Sequence, residues 1–202
     1  MLVLNDKESP TKRVIFVAMM SALGNALSLL SIMITPIVPS IPIGALNVSI
    51  AFDLSHLTTF VAALFGGPTL GGMTGMVGGI VAAYEFGFSK GNFITGFGLP
   101  IGKALTGVTA GFIKKWFSFS KNRLWILIPI VLISYIPEAV YTASLFIFIY
   151  PVVLGFPVWL ATIITMQIIV KAFVEMMIMG LILVTLFRNQ SLIKYLQSHF
   201  QS

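Results

Sequence analysis

The sequence predicts an all-α polytopic membrane protein, a six-transmembrane-helix bundle with both termini cytoplasmic. Three observations predict it. Mean hydropathy is +1.01, and 57% of the 202 residues are hydrophobic while 9% are charged, more apolar than a soluble core of this length needs. Apolar runs of about 20 residues recur, the length a helix needs to cross the hydrocarbon layer. Basic residues flank those runs mostly on one side, as cytoplasmic loops do. Cysteine is absent, which excludes disulfides, thiolate metal sites and cysteine nucleophiles. The net charge of +6 forms no basic stripe interleaved with aromatics, so the expected surroundings are a lipid bilayer and no nucleic acid.

Residues 1–12 read as a cytoplasmic N-terminal segment, 13–188 as the six-helix transmembrane domain and 189–202 as a cytoplasmic tail. Helix one, 13–34, is too long for a signal-peptide core and is followed by a proline-rich loop, "TPIVPSIPIG", without a small-residue cleavage pattern. Its "VAMMSALGNAL" aligns Ala18, Ala22 and Ala26 on one face, with Ser21 and Asn25 beside it; such a face packs against another helix, of this chain or of a partner. Helix two is expected over 46–65. Helix three, 67–86, carries Gly67, Gly71, Gly75 and Gly79 every fourth residue, a ridge without side chains where a neighbour can approach closely. Helices four, five and six follow at 95–114, 124–150 and 158–187, divided by proline and glycine breaks. With an even number of spans, Lys7, Lys12, Arg13, Lys114, Lys115, Lys121, Arg123, Arg188 and Lys194 share one side and Lys90 falls opposite, which sets both ends inside. Loops 35–45, 87–94 and 151–157 then face outward, and Trp116, Phe117, Phe119 and Trp125 anchor the basic inner loop at the interface.

Charged groups inside hydrocarbon are costly, so each is a functional candidate. Asp53 and His56 fall on helix two, Glu85 at the end of helix three, Lys103 on helix four, Glu138 on helix five, and Lys171 and Glu175 on helix six. Stepping about 1.5 Å per residue from the outer ends brings groups from four helices into the outer half of the bundle. Gln167, Lys171 and Glu175 follow one face of helix six at a spacing of four, and Tyr141 lies a turn from Glu138. The pattern fits a polar pocket opening outward. The alternative is structural pairing of Asp53 with Lys103, and of Glu138 or Glu175 with Lys171. Four carboxylates against two lysines leave acids for His56, water, protonation or a ligand to meet, and the excess suits a neutral or cationic ligand better than a polyanion.

Other chemistries lack their residues. "GFGLPIGKAL" mimics a phosphate loop, but Phe97 stands where its first glycine belongs and Ala104 where Ser or Thr must follow the lysine. One buried histidine without HExxH or a cysteine cluster makes no metal site, His199 sits in a polar tail, and no nucleophile–base constellation marks an enzyme. Neither cofactor nor metal is expected.

The length, the six helices with both ends inside, "AMMSA" at 18–22 and "FDLSHLTTFVAALFGGPTLGG" at 52–72 together resemble the S components of energy-coupling factor (ECF) vitamin transporters. The resemblance covers 13–188 as architecture. It implies a subunit of the prokaryotic plasma membrane that captures a vitamin-like small molecule from outside, with a transmembrane T component and two cytoplasmic ATPase subunits as partners. It also implies that Ala18 and Ala22 meet the T component, and that the subunit topples to deliver its ligand. Lys171 is similar to riboflavin-binding members, with Gln167 in place of the asparagine-containing pattern before it, so the ligand stays open. The rival expectation is a stand-alone ion-coupled transporter using Asp53, His56 and Glu138 as a proton relay, and a third is an intramembrane enzyme.

Overall fold

The computed structural model describes residues 10–35, 40–43, 46–49, 52–116 and 121–191. Lys7, Lys194, His199, Phe117 and Phe119 lie outside the described residues. Among the described residues, four helical stretches are long and apolar enough to cross a membrane: Pro10–Ile34, His56–Lys90, Leu124–Leu154 and Val158–Arg188. Large apolar side chains such as Met19, Met33, Ile133, Val152, Trp159 and Val170 stand exposed around them, as surfaces solvated by lipid require.

Helix α1, Pro10–Ile34, opens on a proline, whose missing N–H costs nothing in a first turn. It buries Ser21, Gly24, Ser28 and Ser31 and leaves Met19, Leu23 and Leu30 outside. This inverts the soluble pattern, because in lipid small residues serve close contact and apolar ones face the solvent.

The expected second helix is corrected over its first half. Leu46–Ser49 form strand β2, paired antiparallel with β1, Ser40–Ile43, in the register Ile41 to Val48. Helix α2 begins only at His56. Proline at 42 and β-branched Val48 favour extended chain there, and a short apolar run has no period that separates strand from helix.

Helix α2, His56–Gly78, is interrupted at Gly67, whose φ of 79° and ψ of −169° are followed by Pro68. The chain reverses there. A Cβ on Gly24 would meet both Thr58 Oγ1 and Gly78 Cα, and one on Gly71 would meet Ala63, contacts that a straight helix would hold far apart. The arm 56–66 is therefore about 16 Å long, half the thickness of the hydrocarbon layer. Gly67 forms the turn, while Gly71 and Gly75 serve the ridge, packing directly on the backbone carbonyls of Gly107 and Lys103 in α4, Phe93–Trp116. Gly75→Ala drives a methyl group into the Lys103 carbonyl and should cost about 1–3 kcal/mol, measured by thermal unfolding in detergent.

A second break separates α2 from α3, Ile80–Phe86. In an unbroken helix Val81 N–H would bond the Val77 carbonyl. Here the Asn25 amide of α1 is inserted between them: Val81 N–H donates to Asn25 Oδ1 at 3.0 Å, and Asn25 Nδ2 donates to Val77 O at 2.9 Å. Insertion of a side chain into the ladder accounts for the kink. Asn25→Leu leaves Val81 N–H unpaired and takes one of two donors from the Val77 carbonyl, which also accepts from Gly79 N–H; it should lower stability by about 1–3 kcal/mol, whereas Ala26→Leu on the exposed side should not, and a melting comparison distinguishes them.

Helix α5, Leu127–Ser144, runs through a π-helical turn, Leu145–Ile149, into α6, Tyr150–Leu154. Pro151 lacks an N–H and crowds the carbonyl four residues earlier, and the turn widens so that Tyr150 N–H bonds Leu145 O. Helix α7, Val158–Arg188, closes the bundle. The ends of α2's first arm, α4 and α7 lie together: Phe65 and Phe187 rings are 5.4 Å apart, and Lys114 Nζ donates to the Leu64 carbonyl, freed where the helix stops. Lys114, expected as a loop charge, is thus buried in helix capping. Far from that end, Leu54 N–H donates to Ser31 Oγ at 3.2 Å. Phe16, Phe60, Leu64, Met176, Met179 and Leu183 fill the core between.

Candidate functional site

Asp53 precedes α2 instead of lying on it, in the turn that delivers the chain from the hairpin to His56. Its Oδ1 accepts from Ser55 N–H at 3.1 Å and from Ser55 Oγ at 2.6 Å, an Asx turn that starts the helix. Its Oδ2 meets Lys103 Nζ at 2.7 Å. Lys103 also donates to Ser55 Oγ. Lys103 is 1% exposed although it sits near the middle of α4. Its stem runs beside Gly79, where a Cβ would stand 3.3 Å from Cδ, so the Asn25 break shapes the channel that the lysine occupies.

His56 joins this pair to α5. Nε2 lies 3.3 Å from Glu138 Oε2 and 3.4 Å from Oε1. Thr106 donates to the same Oε2. Nδ1 is 3.7 Å from Asp53 Oδ2, too long for a hydrogen bond, and has no hydrogen-bond partner among the described residues. Asp53 and His56 at the start of α2, Lys103 on α4 and Glu138 on α5, drawn from three places in the chain, thus form one network. The acid excess read from the sequence shrinks to Glu85: His56 meets Glu138, and Lys171 meets Glu175 at 3.5 Å.

Exposure divides the network. Lys103, His56 and Glu138 are buried, while the Asp53 side chain is 31% exposed. Glu138 also borders a small, half-open cleft between α4 and α5, with Thr95, Gly98, Gly102, Thr142, Phe146 and Tyr150 around it. Tyr141 adjoins the cleft, its hydroxyl 3.8 Å from where a Cβ on Gly98 would stand.

The other expected site residues lie elsewhere. Glu85 is half-buried at the end of α3, where its carbonyl accepts from Ser89, and no ion pair forms at it among the described residues. Gln167 and Lys171 are half-buried on α7, and Lys171 is bound to its own helix neighbour, Glu175. Ala18, Ala22 and Ala26 are exposed on the side of α1 away from Ser21, Gly24 and Ser28. Sequence reasoning missed Ser55, Thr106 and the Tyr150 cluster. Tyr150 is buried, accepts from Asn92 Nδ2 at 2.7 Å and bonds Thr95 Oγ1. Serine and threonine are frequent in membrane helices and carry no signal by themselves; "DLSH" alone hinted at Ser55.

Among the described residues no cluster of His, Cys, Asp and Glu could hold a metal ion. The arrangement can hold a polar ligand beside Glu138 or pass a proton between Glu138 and His56. No protein-family model, curated protein or solved structure matches the chain.

Proposed function

We propose that the protein is the substrate-capture subunit of an ATP-driven importer of the ECF type. It binds a vitamin-like small molecule from outside and delivers it with a T component and two cytoplasmic ATPase subunits. In this role it crosses the prokaryotic plasma membrane six times, with both termini in the cytoplasm and the short arm 56–66 completed by the hairpin before it. The observation that carries the proposal is a division of labour within the bundle. A small-residue face, Ala18, Ala22 and Ala26, is turned outward on α1, while Asp53, Lys103, His56 and Glu138 gather in one network inside the bundle, of which Glu138 reaches a cleft between α4 and α5. A partner can thus be gripped without disturbing the ligand. Glu138 meets the ligand at the cleft, and His56, Lys103 and Asp53 stand behind it in the same network.

Mass spectrometry of material released on denaturing the purified protein should find a stoichiometric small molecule, and uptake should stop when ATP is depleted. Uptake that survives depletion overturns the importer. A tag on either terminus that is labelled from outside overturns the six-span orientation.

The approach of His56 Nε2 to Glu138 at 3.3 Å favours one competing role, an ion-coupled carrier with a proton relay that Asp53 joins only on closing its 3.7 Å gap to Nδ1. Uptake driven by an imposed proton gradient without ATP would select it.

A further inference from the structure

The geometry points to a flat organic cation, a protonated nitrogen base on a planar ring, as the ligand of the cleft between α4 and α5. This rests on the cleft's being the substrate site of the proposed importer. The two oxygens of Glu138 are not equally committed. Oε2 accepts from Thr106 and takes the nearer approach of His56, at 3.3 Å. Oε1 has only the 3.4 Å approach of the same nitrogen, and one N–H cannot serve both oxygens well. Oε1 also lies toward Gly102, 3.3 Å from where a Cβ would stand, and Gly102 is part of the cleft wall. A carboxylate oxygen with lone pairs to spare therefore borders the opening.

Charge supports a cation. Among the described residues lining the cleft there is no lysine, arginine or histidine. Behind Glu138, Asp53 and Lys103 cancel, so the network carries one negative charge with a neutral imidazole at His56 and none with an imidazolium. It is never positive, and an anion finds no partner. Shape supports a flat body. Phe146 and Tyr150 stack at 4.4 Å with 23° between their planes, and both border the cleft opposite the side-chain-free Gly98 and Gly102. The π-helical turn at 145–149 brings these two aromatics to the same wall. An aromatic face adds attraction for a cation, and a charge-assisted bond to carboxylate supplies direction.

Three probes of one shape and different charge test the class: benzamidinium, benzamide and benzoate, titrated calorimetrically into the purified full chain. Benzamidinium should bind about tenfold tighter than benzamide, the difference between a charge-assisted and a neutral hydrogen bond, and benzoate should bind weakest. Glu138→Gln should bring the first two within about twofold of each other. Thr142→Phe keeps the carboxylate and fills the cleft, and should abolish binding of all three; it decides the matter alone if the glutamine variant does not fold. Equal or better binding of benzoate, a cation preference that survives substitution, or no binding of any probe at millimolar concentration overturns the proposal. Uptake insensitive to ATP would overturn the importer while leaving the order of the probes standing, so the two failures are separable.

Discussion

Lys103→Met should destabilise the ligand-free bundle by about 3–5 kcal/mol, the largest loss expected from any single change in the polar network. The ammonium is 1% exposed and satisfied by Asp53 and Ser55. Methionine fills the channel beside Gly79 but leaves the Asp53 carboxylate without its cation in the turn that starts α2. Lys171→Met removes a longer contact, 3.5 Å, to an ammonium that is 35% exposed, and should cost less, about 1–3 kcal/mol, for the buried Glu175 carboxylate left unpaired. The double change Lys103→Met with Asp53→Asn should recover part of the loss, since no charge is then abandoned. Melting temperatures of the three variants check this. If Lys103→Met melts with the wild type, the Asp53–Lys103 pair is not a dry structural contact.

The expected behaviour of the charged residues thus differs from what the sequence implies. Read without coordinates, Asp53, Glu138 and Lys171 are equivalent pocket residues around a surplus of acid. Their presence was legible because any charge stands out in a chain this apolar. The pairing of Asp53 with Lys103, and of Lys171 with Glu175, was legible as the structural alternative; the partner of Glu138 was not, because a helix fixes which residues share a face but leaves open which face meets which neighbour. His56 satisfies Glu138, and Lys171 turns to Glu175 one turn along its own helix. Ser55 and Thr106 complete the network without any distinguishing feature in sequence.

The fold divides in the same way. The glycine ridge was legible from its spacing of four, and the reversal at Gly67 from a Gly-Gly-Pro break. The hairpin was not, since 46–55 is as apolar as the helix that follows it. Nor was the Asn25 insertion, in which two helices share one hydrogen-bond ladder and no single segment carries the signal. Lys114 misled for a third reason: a lysine at a span boundary ordinarily reaches water, and this one turns back to a carbonyl exposed by a helix that ends early.

Tryptophan at both Ala18 and Ala22 should reduce ATP-dependent uptake to background while ligand affinity of the isolated chain stays within about twofold, because close approach of a partner helix depends on small residues at the contact. Both alanines are exposed, and the inward side of α1 is carried by Ser21, Gly24, Ser28 and Ser31. Indoles placed there extend away from α2, so Asn25 keeps its bonds to Val77 and Val81, and the channel around Lys103 is undisturbed. Uptake measured in cells and binding measured on the purified chain separate the outcomes. Loss of both would mean that the face packs within this chain, against its exposure. Unchanged uptake would remove Ala18 and Ala22 from any coupling contact and leave α1 facing lipid.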